Sequence, residues 1–192
     1  MKKVFLCLLL VSLLVPGAAL AAGTVTFEDL YPGYEIYDYP VPAGYGGFNW
    51  SESFGWITKE YHPGSGYDLG CIGKVAGFTA YANPVWFEGI GGEDFVFIGA
   101  FITAAWDDTE DVIVKGYLNG SLIHEVTITT YNDAPYYFNF NWGRVDKVAF
   151  EPQGAHIAID NINHCNPVPL PGTLLLLGSS LLGLVGLRLR KA

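Results

Sequence analysis

Basic side chains are scarce in this sequence of 192 residues, with ten Lys and Arg against nineteen Asp and Glu. The deficit deepens away from the ends. Within residues 23–166 five bases (Lys59, Lys74, Lys115, Arg144, Lys147) face all nineteen acids, a net charge of −14. Such a field repels polyanions, which excludes nucleic acid as a main partner and favours cations or neutral ligands. Cysteine is almost absent as well: Cys7 lies near the start, so Cys71 and Cys165 leave room for a single bridge in the long middle segment. Helical periodicity is missing outside the two terminal segments. Enzyme signatures are missing too. His124-Glu125 is followed by Ile128 where a zinc-binding His-Glu-x-x-His helix needs its second histidine, and Gly64-Ser65-Gly66 is not a nucleophile elbow. His62, His156 and His164 have no ligand spacing.

What is present at the ends is directive. Lys2 and Lys3 precede an apolar run over 4–15, Pro16-Gly17 breaks it, and Ala19-Leu20-Ala21 offers a small-x-small cut. This is the pattern of a secretory signal peptide over 1–21, removed by signal peptidase, and it carries Cys7 away. At the other end, residues 170–189 hold one charge, Arg188, and at about 1.5 Å per residue they suffice to span roughly 30 Å of hydrocarbon. The cations Arg188, Arg190 and Lys191 are expected to stay in the cytoplasm, with everything before Val168 outside.

Pro169-Leu170-Pro171, the Leu/Gly-rich run after it and the Arg188, Arg190, Lys191 cluster together resemble the PEP-CTERM sorting signal of bacterial envelope and matrix proteins. The family's usual glutamate is here Leu170. Together these readings divide the chain into three segments: signal peptide 1–21, ectodomain 22–165, and sorting segment 166–192 with a transmembrane helix at 170–189. The resemblance also implies an exosortase-like membrane protease as partner, and a destination at the cell envelope, the cell surface or the extracellular matrix after an inner-membrane precursor.

Between the ends, about ten short strands alternate with turn signals. Residues 24–30 read as a first strand, and 31–50 as a Pro/Gly-rich loop. Further strands are expected at 54–60, 73–81, 85–88, 95–106, 145–150 and 156–162. The run 95–106 is apolar at both parities, as in a central strand or one bulged near Gly99. The firmest local signal is 112–118, then Asn119-Gly120, then 121–130, a β-hairpin whose turn residues both accept positive φ. The fold class is all-β, an antiparallel sandwich. Phe27-Glu-Asp-Leu, Tyr45-Gly-Gly-Phe-Asn-Trp, Thr103-Ala-Ala-Trp-Asp-Asp and Ala158-Ile-Asp-Asn-Ile resemble jelly-roll ectodomains similar to carbohydrate-binding modules and galactose-binding-like domains.

Candidate sites follow. In such jelly rolls the first and last strands adjoin, which implies a structural calcium ion between Glu28 or Asp29 and Asp160 with Asn161; the alternative is that these acids are solvated or cap turns. Asp107, Asp108, Glu110 and Asp111 lack EF-hand spacing and read as a solvated turn. Tyr31, Tyr34, Tyr37, Tyr39, Trp50 and Trp56 sit in Pro/Gly-rich context and are candidates for a polysaccharide-stacking surface, the alternative being a packed loop. Trp106 and Trp142 read as core, and His124 as a partly buried structural histidine. Cys71 and Cys165 are 94 positions apart; a bridge would contribute about 4–5 kcal/mol by chain entropy, and two separate thiols are the alternative. The resulting expectation is a non-enzymatic surface or matrix protein with a β-sandwich binding domain. A calcium-dependent carbohydrate-binding module is the second reading and a glycan-processing enzyme the third.

Overall fold

The computed structural model describes the backbone of residues 19–168 and the side chains of 21–166. The leader before Ala19, Pro169-Leu170-Pro171, the helix expected at 170–189 and the terminal cations lie outside the described residues. Among the described residues no helix is long and apolar enough to cross a membrane. Residues Ala22–Asn166 form one compact unit.

That unit is a two-sheet β-sandwich. In chain order its strands are β1 (Ala19–Val25), β2 (Tyr37–Asp38), β3 (Phe48–Trp50), β4 (Phe54–Thr58), β5 (Val75–Thr79) and β6 (Val85–Gly89). They continue as β7 (Phe95–Ala104), β8 (Thr109–Leu118), β9 (Ser121–Tyr131), β10 (Tyr136–Val145), β11 (Lys147–Pro152) and β12 (Ile157–Val168). One sheet runs β10-β7-β12-β5-β4-β2, with β1 also on β12; the other runs β3-β6-β11-β8-β9. The first and last strands are therefore neighbours. Inward positions of both sheets form the core: Phe54, Val75, Phe97 and Ile159 from the seven-stranded sheet meet Phe48, Phe87, Val114 and Phe150 from the five-stranded one. Each such burial is worth about 1.5–3 kcal/mol relative to exposure.

The hairpin forms as its sequence requires. Asn119 (φ 52°) and Gly120 (φ 73°) make the turn between β8 and β9, and their two consecutive positive φ values give a turn whose twist matches the right-handed twist of the strands. On β8, Val112 and Val114 point inward while Ile113, Lys115 and Tyr117 are half-buried. Strand β7 is an inner strand, paired with β10 on one side and β12 on the other, and the bulge expected near Gly99 occurs on both of these neighbours. The register jumps at Asn139/Trp142 on β10 and at Asp160/Asn163 on β12, and the extra residues Asn141 (φ 48°) and Asn161 (φ 45°) take left-handed conformations that Asn tolerates.

Several expectations change. The first strand ends at Val25, because Phe27 turns through φ 59° to bury its ring and a 3-10 turn follows at Glu28–Leu30. Strand β8 begins at Thr109, which draws Glu110 out of the supposed solvated turn. A short helix, α1 (Gly66–Gly70), interrupts the loop after β4; Ser65 caps it, its side chain accepting from the Tyr67 N–H. Trp50 and Trp56 are strand residues in the core, not loop residues: Trp56 is 8% exposed, and the Trp50 indole N–H donates to the Tyr45 carbonyl. Trp106 errs the other way, at 48% exposed.

The expected bridge is also replaced by two free thiols. Cys71 is buried next to Ile72, whose N–H donates to Asp160, while Cys165 lies five residues further along β12, opposite Val96. Five strand residues cover roughly 15 Å, beyond the roughly 7 Å limit between bridged Cα atoms.

Candidate functional site

The outer face of the seven-stranded sheet carries a second, smaller core. Ile57 from β4, Phe78 from β5 and Ala158 from β12 alternate away from the main core and pack with Tyr67, Ala80 and Ala105. Small residues make room for the large ones. A Cβ on Gly55 would stand 2.3 Å from the Phe78 ring, which therefore lies across a bare backbone. Helix α1 docks above this floor. The Gly66 N–H donates to the Ala105 carbonyl at 2.9 Å, an approach that only glycine permits, since a Cβ would meet the Ala104 oxygen at 1.7 Å.

Over the floor opens a cleft of about 320 Å³, at the lower end of small-molecule sites. Tyr37 and Tyr39 reach it from the edge strand β2 and the residues after it, Tyr61 and His62 follow β4, Tyr81 follows β5, Trp106 follows β7 and His156 precedes β12. The rings brace one another edge to face: Tyr37 on Tyr61 at 4.9 Å, Tyr39 on Tyr81 at 5.8 Å, and His62 on Trp106 at 5.0 Å. The Tyr39 and Tyr81 hydroxyls share a hydrogen bond of 2.7 Å, which raises the pKa of Tyr39. Tyr81 (φ 58°) and Ala82 (φ 53°) are consecutive left-handed residues, a strained turn that leaves the Tyr81 ring 69% exposed.

At the inner end, the Tyr67 hydroxyl and Nδ1 of His156 are 2.9 Å apart. Burial raises the pKa of Tyr67 and lowers that of His156, so both are neutral at neutral pH. Glu110 fixes this end from β8. Its carboxylate, 5% exposed as a residue, accepts from the Gly154 N–H at 2.6 Å and the Ala155 N–H at 3.0 Å, immediately before His156.

Of the six aromatic candidates, Tyr37 and Tyr39 belong to the cleft and the rest do not. Tyr31 packs against the core with Lys74 over its ring at 4.7 Å, Tyr34 is exposed elsewhere, and Trp50 and Trp56 are core. Tyr61, His62, Tyr67, Tyr81, Trp106 and His156 were not among the expected site residues. The available signal was positional: five of the six fall just beyond strand ends or just before a strand, where side chains from distant segments can meet.

The acids expected at the calcium site are engaged by other donors, Glu28 and Asp160 by backbone N–H groups and Asp29 by a hydroxyl. Glu28 accepts from the N–H groups of Lys74 (2.9 Å) and Val75 (3.1 Å). Asp160 accepts from Ile72 (2.8 Å) and Asn161 (2.6 Å), and Asp29 accepts from the Tyr45 hydroxyl. Glu28 and Asp160 thus clamp one loop, residues 72–75, from its two sides. Burial pushes the Asp160 carboxyl up to about 7, outweighing the two N–H bonds, and the nearby Glu28 charge adds to the rise. Asn161 is the bulge residue. Among the described residues no three His, Cys, Asp or Glu side chains gather as a metal-holding group.

A larger hollow of about 510 Å³ lies over the outer face of the five-stranded sheet, where Trp86 and the lining charges Glu88, Lys147 and Glu151 are already matched. Lys147 covers the Trp86 ring at 3.9 Å beside Glu88, and Lys115 pairs with Glu151 at 2.7 Å. His124 stacks flat on Trp142 at 5.0 Å, a structural role.

Residues 167–191 match the PEP-CTERM protein-sorting motif, which implies export and membrane-associated processing by exosortase toward the cell envelope. In fold the chain is similar to a DUF4465 family protein from Bacteroides caccae, known from a crystal structure. The TM-score is 0.51 at 14% identity, covering 76% of this chain and 99% of that one. No curated protein matches the sequence.

Proposed function

We propose that this chain is an exported, envelope-sorted surface or extracellular-matrix protein whose β-sandwich is a non-catalytic binding module, with the aromatic cleft as its binding site. The sorting motif supports the destination. The observation that carries the binding half is the cleft itself, where rings of Tyr37, Tyr39, Tyr81 and Trp106 stay exposed above a floor that would have buried them had the loops simply collapsed. The cleft lining carries no carboxylate, whereas glycoside hydrolysis in its usual form needs two.

The reading is tested by the C-terminal mass of the protein recovered from separate fractions of its native cells. A chain ending near residues 169–172 outside the inner membrane is the expected result. An intact Ala192 confined to the inner membrane would overturn the sorting half and make the domain a permanently tethered one. A calcium-assisted form of the same module is tested by chelation: an unchanged melting temperature after dialysis against chelator counts against a structural ion at Glu28 and Asp160.

A further inference from the structure

We infer that the cleft takes an uncharged saccharide, whose apolar ring face lies on Trp106 and Tyr81 while its hydroxyls meet the Tyr67–His156 pair. This rests on the reading of the sandwich as a binding module and names the ligand class of that same cleft.

Charge is the first support. None of the lining side chains carries a carboxylate, an ammonium or a guanidinium. A charged ligand entering the cleft would give up water and find no counter-charge. Around the rim the protein is acidic, with Asp38 between Tyr37 and Tyr39, and with Asp107 and Asp108, both exposed, directly after Trp106. Uronates and sulfated sugars are therefore repelled before they arrive.

Polarity at one end is the second support. Nδ1 of His156 is committed to the Tyr67 hydroxyl. Among the described residues no buried side-chain nitrogen or oxygen lacks a partner, so Nε2 of His156, with no hydrogen bond of its own, is open to solvent on a residue that lines the cleft. In one tautomer the Tyr67 O–H donates to Nδ1 and Nε2–H offers a donor. In the other, Nδ1–H donates to the tyrosine oxygen, Nε2 accepts, and the Tyr67 O–H is free to donate. A sugar hydroxyl is both donor and acceptor and satisfies either arrangement. A purely apolar occupant would leave the remaining hydrogen-bonding capacity of the pair unmet.

The two features lie at different places in one cleft. Rings are open to solvent at the mouth and a neutral hydrogen-bonding pair sits at the inner end, which suits a molecule with one apolar face and a hydroxylated edge.

The test titrates full-length protein in detergent with neutral, uronic-acid and amino-sugar oligosaccharides at about 0.05 and 0.5 M NaCl, a range over which screening of a charged ligand changes strongly. Binding of a neutral oligosaccharide is expected, with Kd nearly independent of salt. Trp106→Ala and Tyr81→Ala are each expected to raise Kd about tenfold. Both rings are about half exposed or more, so unchanged melting temperatures separate this loss from misfolding. Tyr67→Phe, which keeps the ring and removes the hydroxyl, is expected to weaken binding without altering the preference for uncharged ligands. Selection of an amino sugar or a uronate, abolished by Trp106→Ala, would overturn the ligand class and leave the cleft as binding site. Saccharide binding untouched by Trp106→Ala and Tyr81→Ala would overturn the cleft itself. No binding by any of the three classes would overturn the saccharide inference, while the C-terminal mass measurement still decides the sorting half on its own.

Discussion

Trp56 and Trp106 have exchanged the roles their sequence context suggested, and substituting each separates packing from surface chemistry. Trp56 packs in the core of β4, so Trp56→Ala should cost about 3–5 kcal/mol in a urea melt. Trp106→Ala removes a ring half open to water and should change stability by less than about 1 kcal/mol. Equal losses in the two variants would contradict the assigned burial. The context misled for a physical reason: Pro and Gly around Trp50 and Trp56 mark tight turns between very short strands, not a long open loop, and a three-residue strand leaves too few positions to show alternation. Asp160 supplies a prediction in pH. Its ordinary value of 3.8 applies to the unfolded chain and its folded value is about 7, so protonation favours the folded state. That contribution is fully present below about pH 3.8 and is lost as pH rises through about 7. Urea melts of the protein across pH 4–8 should therefore include a declining component that Asp160→Asn flattens. Superimposable pH profiles of protein and variant would show that the carboxyl does not titrate in this window.

Helix α1 is the element on which the cleft depends, since it carries Tyr67 and is held by one close backbone approach. Gly66→Ala places a methyl 1.7 Å from the Ala104 oxygen, and neither backbone can yield without separating α1 from β7. The expected outcome is a loss of about 2–4 kcal/mol together with loss of ligand binding, read by thermal melt and by titration of the same preparation. Unchanged stability would mean that α1 is not docked as described. A five-residue helix capped by Ser65 leaves no periodic trace, which is why the sequence did not announce it, whereas the β8–β9 hairpin was plain because Asn119-Gly120 specifies its turn locally. The sandwich itself was legible for the same reason: alternation and turn chemistry act over a few residues. Strand β7 also showed that it is an inner strand, through apolar residues at both parities and a glycine where both neighbours bulge. The cleft was legible only at Tyr37 and Tyr39. Its other mouth and inner-end rings come from residues 61, 62, 67, 81, 106 and 156, and only the strand order β7-β12-β5-β4-β2 brings those positions together. Glu110 illustrates the same limit, because an acid in an acidic run reads as solvated until the 154–155 turn arrives to meet its carboxylate.

At the scale of the whole molecule, charge is divided by destination. The segment 23–166 holds all nineteen acids, while Arg188, Arg190 and Lys191 stand after the apolar stretch within the matched sorting motif. In the sorting route proposed above, three cations that do not cross would hold the tail in place while processing occurs, since moving Arg or Lys to the centre of a bilayer costs about 2.5–3.5 kcal/mol each on insertion scales. Replacing the three with Gln removes that barrier without altering Pro169-Leu170-Pro171. The expected result is full-length chain, ending at Ala192, in the extracellular fraction, with a corresponding fall in the form ending near residues 169–172. Leu170→Glu restores the acidic residue usual in this signal and should raise the processed fraction, leaving the cations to do the retaining. The two variants separate recognition from retention. If the Gln variant is still cut and sorted as before, the basic cluster contributes nothing to holding the precursor, and the apolar stretch with its Pro-bracketed entry must suffice alone. If Leu170→Glu lowers processing instead, the protease that acts on this chain reads the Pro-Leu-Pro form in its own right, and this chain's partner is specialised for it.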